Sequence, residues 1–140
     1  MIAYFDTSAV VPLLVEEAGS DAARRLWDQA ERVVTIRLLY AETRAALAQA
    51  QRMGRLGAPE VRAAVGLLDD RVAQADVVEI DDRLVRVAGD LAEAHGLRGY
   101  DAVHLAAALR AADDDLVVVG GDRTLLQAAQ ALGLRIAATP

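Results

Sequence analysis

The chain has 140 residues, of which 54% are hydrophobic and only 4% aromatic, and it carries a net charge of −6. That length suits a single domain over residues 1–140 with a buried core, and so apolar a composition excludes an intrinsically disordered chain. There is no Cys, which excludes a disulfide framework and thiolate metal sites; all fifteen basic residues are Arg, which excludes mechanisms that need a lysine.

Strand and helix signals alternate along the chain. Ile2 to Phe5 is a short apolar run that predicts a strand. Thr7 to Val15 predicts a helix, with Pro12 tolerated in its first turn. Gly19-Ser20-Asp21 reads as a break and an N-cap, followed by helix from Ala22 to Ala30 with Leu26 and Trp27 as anchors. Val33 to Ile36 predicts a second strand. A long helix is expected from Leu38 to Arg55, its inward face carrying Leu39, Thr43, Ala46, Ala50 and Met53.

Gly57-Ala58-Pro59 reads as a break, Glu60 to Ala75 as helix and Val77 to Ile80 as a third strand. Asp81-Asp82 caps a helix that runs to His95 and stops at Gly96. Tyr100 to Ala112 predicts a helix apolar almost all round. The continuous apolar run Leu116 to Val119 is what a strand covered on both faces looks like. Gly120-Gly121-Asp122 turns into a helix over Arg123 to Leu132, Gly133 stops it, and Leu134 to Ala137 predicts a last strand. The alternation implies an α/β fold with parallel strands between two layers of helices.

The N-terminal run lacks the basic stretch of a signal peptide, and no segment approaches the ~20 apolar residues of a membrane span. A cytoplasmic protein without a membrane partner is expected. The negative net charge by itself disfavours nucleic acid as a partner, unless a bound divalent cation reverses the sign locally.

Four acids sit where a site could form. In an open parallel sheet ligands bind beyond the carboxyl ends of the strands. Asp6 ends the first strand and Asp122 follows the Leu116–Val119 strand. Glu42 lies in the first turns of the long helix at the edge of its apolar stripe. Asp101 heads the inward stripe of Leu105, Ala108 and Ala112. A carboxylate on a burying face is costly unless compensated. Four of them together make sense around a hard cation such as Mg2+, or Mn2+, which prefers oxygen ligands and keeps several waters. Such a site activates water for phosphodiester hydrolysis.

Each acid also has a plainer explanation. Asp6, Asp101 and Asp122 could be N-caps, and Glu42 could pair with Arg44. Thr7 and Ser8 could orient Asp6 or cap the next helix. His104, alone on an apolar helix, reads as a satisfied core residue. Trp27 and Tyr40 read as core or interface anchors. The acidic groups Glu16-Glu17, Asp69-Asp70, Asp81-Asp82 and Asp113-Asp114-Asp115 read as solvated surface or caps.

Taken together the motifs resemble those of PIN domains. Tyr4-Phe5-Asp6-Thr7-Ser8-Ala9 is similar to the family's opening, Leu38-Leu39-Tyr40-Ala41-Glu42 to its second acidic motif and Gly99-Tyr100-Asp101-Ala102-Val103-His104-Leu105 to its third. Gly121-Asp122 with Leu125-Leu126 is similar to the fourth. The order and spacing hold over essentially the whole chain, and the compact size resembles VapC toxins of toxin–antitoxin pairs. The resemblance implies a three-layer α/β/α fold with a central parallel sheet and an Mg2+- or Mn2+-dependent endoribonuclease acting on RNA. It further implies a homodimer and restraint by a VapB-type antitoxin.

Carried over residue by residue, the metal-site acids are Asp6, Glu42, Asp101 and Asp122, with Ser8 as a helper. One position departs from the family, which often has Thr or Ser two residues before the fourth acid where this chain has Gly120. That leaves open whether Asp122 holds the metal directly or through water. Among other classes, an aspartate-nucleophile phosphatase wants a second Asp where Ser8 stands, and a phosphoacceptor receiver domain needs a lysine. A PIN-like scaffold that only binds a partner protein is the remaining alternative.

Overall fold

The computed structural model describes residues 1–140. Five strands, β1 (Ile2–Phe5), β2 (Arg32–Ile36), β3 (Asp76–Val78), β4 (Leu116–Gly120) and β5 (Arg135–Ala138), form one sheet in the order β3-β2-β1-β4-β5. Every pairing is parallel. Seven helices connect them: α1 (Thr7–Leu14), α2 (Ser20–Gln29), α3 (Leu38–Arg52), α4 (Ala58–Gln74), α5 (Asp82–His95), α6 (Gly99–Ala111) and α7 (Arg123–Ala131). Helix α1 packs with α2, α3 and α4, while α6 packs with α5 and α7 and crosses β2. The result is the expected three-layer α/β/α arrangement.

The chain adds strands outward from β1 to β2 to β3, then returns to the other side of β1 for β4 and β5. This reversal falls between β1 and β4, the point beyond whose carboxyl ends ligands bind in open α/β sheets. Both central strands are buried throughout, apart from the half-buried Ile2. In β1 neighbouring side chains serve opposite layers, as the two-residue period of a strand requires. Phe5 meets Trp27 of α2 edge-on at 5.1 Å, and Tyr4 meets His104 of α6 edge-on at 6.0 Å. Burial of a side chain like Phe5 contributes roughly 1.5–3 kcal/mol.

Several element ends differ from the sequence expectation. Pro12 is the sixth residue of α1, beyond its first turn. The helix ends two residues later, and the Pro12 carbonyl accepts the Ser20 hydroxyl at 2.7 Å. In α3 the buried face is Leu39, Thr43 and Leu47, whereas Met53 is 60% exposed and Ala46 is exposed too. The helix stops at Arg52 because Gly54 adopts a left-handed conformation with φ 76°.

Pro59 opens α4 rather than breaking it, since its missing N–H falls among the donors a helix start leaves free. The Glu60 carboxylate accepts the Gly57 amide at 3.1 Å. Strand β3 ends at Val78, short of Ile80, as suits a sheet edge.

Candidate active site

Asp6 is the last link of β1 and the N-cap of α1. Its amide donates to the Val119 carbonyl of β4 at 3.1 Å, which carries the sheet pairing one step past the strand. Its side chain is only 3% exposed. Oδ1 accepts the Ser8 hydroxyl at 2.6 Å and the Ala9 amide at 3.2 Å, while Oδ2 accepts no protein donor. Burial pushes the Asp6 carboxyl above its ordinary range, against the lowering by the Ser8 hydrogen bond, and the nearby Asp122 charge pushes it further up. The expectation that Asp6 is both cap and inward-facing acid therefore holds in geometry.

Short chains of contacts lead from it toward the other three acids. Ser8 Oγ, besides holding Asp6, accepts the Gly121 amide at 2.7 Å and so fixes the turn that carries Asp122. Asp122 caps α7 through the Leu125 amide at 3.2 Å. The Arg98 guanidinium joins Asp122 at 3.4 Å to Asp101 at 3.0 Å. Asp101 and Glu42 line one crevice of about 710 Å3, together with Tyr100 and Ile80. On the other side, Glu42 Oε1 accepts the hydroxyl of Thr7, next in sequence to Asp6, at 3.0 Å.

Two expectations change here. Asp101 is not a cap; it lies in the first turn of α6, whose N-cap is Arg98. Glu42 does not pair with Arg44, which instead donates to Tyr40 at 3.1 Å; Glu42 pairs with His104 at 2.7 Å.

Gly120 explains its departure from the family pattern. A Cβ there would lie 2.8 Å from Asp6 Oδ2, so no larger residue fits beside this carboxylate without displacing it. Trp27 is core, shielded by Phe5 and by Arg71 stacked on its ring at 5.0 Å, and it offers no surface anchor. Sequence reading assigned His104 to the core. It is 2% exposed, but Nε2 lies 2.7 Å from Glu42 and Nδ1 lies 2.9 Å from the Tyr4 hydroxyl, so it touches the site as well. Its place one turn after Asp101 was the available signal.

The donor set suits a hard divalent cation. The oxygens left without a protein donor are Asp6 Oδ2, Glu42 Oε2 and Asp101 Oδ1. Arg98 already acts as a cation between Asp101 and Asp122. No three His, Asp or Glu side chains stand close enough to cage an ion by themselves. Magnesium takes only one or two carboxylates directly and completes its shell with waters, so it does not require such a cage.

The fold and this acidic crevice define a class, and comparison with known proteins agrees. The PIN domain family model matches residues 3–136, and the chain belongs to that family. It is 46% identical over 136 residues to ribonuclease VapC45 and to ribonuclease VapC49 of Mycobacterium tuberculosis, covering 97% of this chain and 94% of theirs. Among solved structures, VapC20 of M. tuberculosis superposes with a TM-score of 0.70 at 22% identity, over 94% of this chain and 95% of its own. PAE2754 of Pyrobaculum aerophilum gives 0.67 at 25% identity, over 97% and 83%.

Proposed function

We propose that this protein is a divalent-metal-dependent endoribonuclease and the toxin of a toxin–antitoxin pair. The observation that carries the reading is the buried Asp6 carboxylate at the strand-order reversal, with one oxygen clamped and one left for a ligand. The 46% identity with two ribonucleases over nearly the whole chain supports it.

Asp6 and Asp101 would hold Mg2+ or Mn2+ directly, with Glu42 and Asp122 acting directly or through water. The bound ion supplies the activation of water and the neutralisation of charge on the phosphate during in-line displacement. The chain's own groups set the geometry. Ser8 and the Ala9 amide fix Asp6. Glu42 turns its free oxygen toward water in the crevice. Arg98, 79% exposed at the rim, meets the phosphate of the incoming strand. The water oxygen bonds to phosphorus as the P–O ester bond breaks, one proton of the water ends on the departing ester oxygen, and the RNA chain is cut in two.

The test is cleavage of single-stranded RNA by the purified protein in Mg2+ or Mn2+, stopped by EDTA and abolished in Asp101→Asn. Retained cleavage in a rigorously purified Asp101→Asn protein would overturn the site assignment, and no cleavage by the parent would overturn the reaction.

The partner reading rests on a second groove of about 680 Å3 between α1, α3 and α4. Its lining includes Val11, Leu14 and Leu56, and three acids, Glu16, Glu17 and Glu60, against one base, Arg55. An apolar and acidic lining fits a basic amphipathic segment of a VapB-type antitoxin, and acidity speeds such an encounter. A guanidinium from that segment could pair with crevice carboxylates as Arg98 does. Inhibition should then weaken at high salt and compete with Mg2+. No helix is long and apolar enough to cross a membrane. Homodimer formation, which sedimentation would measure, and a cytoplasmic place belong to the same proposal.

A further inference from the structure

Behind Glu42 lies a buried polar chain that the proposed reaction does not use. Tyr4 and His104 are fully or almost fully buried, and Thr7 is half-buried. The imidazole of His104 bridges two of these positions: Tyr4 Oη at Nδ1, 2.9 Å, and Glu42 Oε1 at Nε2, 2.7 Å. Thr7 Oγ1 donates to the same Oε1 at 3.0 Å and lies 3.3 Å from Nε2. The residues come from β1, α1, α3 and α6, so four elements meet at this point.

Hydrogen-bond bookkeeping selects one arrangement. An ionised Glu42 only accepts, so Nε2 must carry the proton that it donates to Oε1. Tyr4 is 0% exposed, and its hydroxyl has no other hydrogen-bond partner. If Nδ1 also carried a proton, the Tyr4 proton would be buried without an acceptor, which is costly. Nδ1 therefore accepts from Tyr4, and Nε2–H donates to Glu42. Burial, reinforced by the charges of Asp6 and Glu42, holds the Tyr4 hydroxyl well above its ordinary value, so it remains a donor.

The consequence falls on Glu42. Both Thr7 and His104 converge on Oε1, and Oε2 takes no protein donor. The side chain is 23% exposed. One oxygen is locked from behind, and the other is presented to the crevice.

We infer that His104 is a positioning residue: the Tyr4 hydroxyl fixes it as the Nε2–H tautomer, and it locks Glu42 so that one carboxylate oxygen faces the metal and its waters. This rests on the metal-dependent reading above. Partners of this kind, one step behind a ligand, typically change metal affinity by about 10–100-fold when removed.

The tautomer is read without any metal, from long-range 15N–1H correlation spectra of the histidine ring in the parent protein. The expected pattern is Nε2–H with an accepting Nδ1. A Nδ1–H tautomer overturns the inference whether or not any variant folds. The second arm measures Mn2+ binding by calorimetry. His104→Leu, which keeps the volume and loses both ring nitrogens, should bind Mn2+ at least about tenfold more weakly. His104→Gln, whose amide N–H can reach Glu42, should recover most of that loss.

Equal affinity of parent and His104→Leu overturns the positioning role while leaving the nuclease reading intact. Equal losses in the Leu and Gln variants also overturn it, because a purely structural effect would not follow the N–H. A parent protein that binds no Mn2+ overturns the metal-dependent reading and this inference with it.

Discussion

Asp6 follows β1 and caps α1, and Asp81 follows β3 and caps α5; each takes the amide three residues on, Ala9 at 3.2 Å and Leu84 at 2.8 Å. Local grammar is the same, and the surroundings are opposite. Asp81 has a side chain 57% exposed and receives the Arg110 guanidinium on both oxygens, at 3.0 and 2.9 Å. Arg110 chiefly, then the Leu84 amide, holds the Asp81 carboxyl down at about 2. Asp6 has no guanidinium, sits against Gly120 with almost no exposure, and is raised instead. A cap that is exposed and paired favours folding, whereas a cap that is buried and unpaired gives up stability unless a ligand compensates it. That difference supports the proposal that Asp6 serves the reaction while Asp81 serves the fold.

The sharpest break between the two is activity. Asp6→Asn keeps an acceptor for the Ala9 amide but loses the charge proposed to hold the cation. RNA cleavage should fall by on the order of 10²-fold or more, since metal stabilisation of the transition state amounts to several kcal/mol. Asp81→Asn should cleave at nearly the parental rate. Comparable losses in both variants, followed by initial rates on labelled RNA, would erase the contrast.

Metal-linked stability is next in size. Mg2+ at about 100 times its Kd should stabilise the parent by about 2.7 kcal/mol, because it binds only the folded state. Asp81→Asn should gain the same, and Asp6→Asn little. Thermal melts with and without Mg2+ read this directly.

Without metal, pH should separate the two caps in opposite directions. The folded value of Asp6 is raised, so its contribution is present below the ordinary value of 3.8 and is lost as pH rises through the folded value. For Asp81 the folded value is about 2, so its contribution is present above 3.8 and is lost as pH falls toward 2. In EDTA, urea midpoints of Asp6→Asn should decline less than the parent's as pH rises from about 4. Midpoints of Asp81→Asn should decline less than the parent's on the acid side. Parallel curves for both variants and the parent would contradict the assigned environments.

The smallest effect belongs to Arg110→Gln. Exposed ion pairs contribute little and are screened by salt. The variant should cleave RNA normally and lose only a little stability, and that loss should shrink in high salt. A loss of cleavage here would mean that the α5–α6 surface is coupled to the crevice.

Much of this molecule is written locally in its residues. The apolar run Leu116–Val119 determines a strand buried on both faces, and the alternation of strand and helix signals determines a parallel α/β fold. Gly96 and Gly133 end helices because they alone take positive φ there, 64° and 85°. The four acids, too, could be picked out by their positions after strands and on helix faces. Boundaries were less legible: Pro59 lies within α4 because the N–H groups of a helix start lack partners anyway, and β3 is short because it is an edge.

Tertiary structure alone decided how the acids differ. It placed β4 beside β1 across 110 or more residues of chain, which put Asp122 near Asp6. It set Tyr4 against His104 over a separation of 100 residues, and turned Arg98 onto Asp101 and Asp122. Such pairings come from strand order and helix packing, which no local window of sequence contains. Burial follows from the same packing, and burial is what separates the raised carboxyl of Asp6 from the lowered one of Asp81.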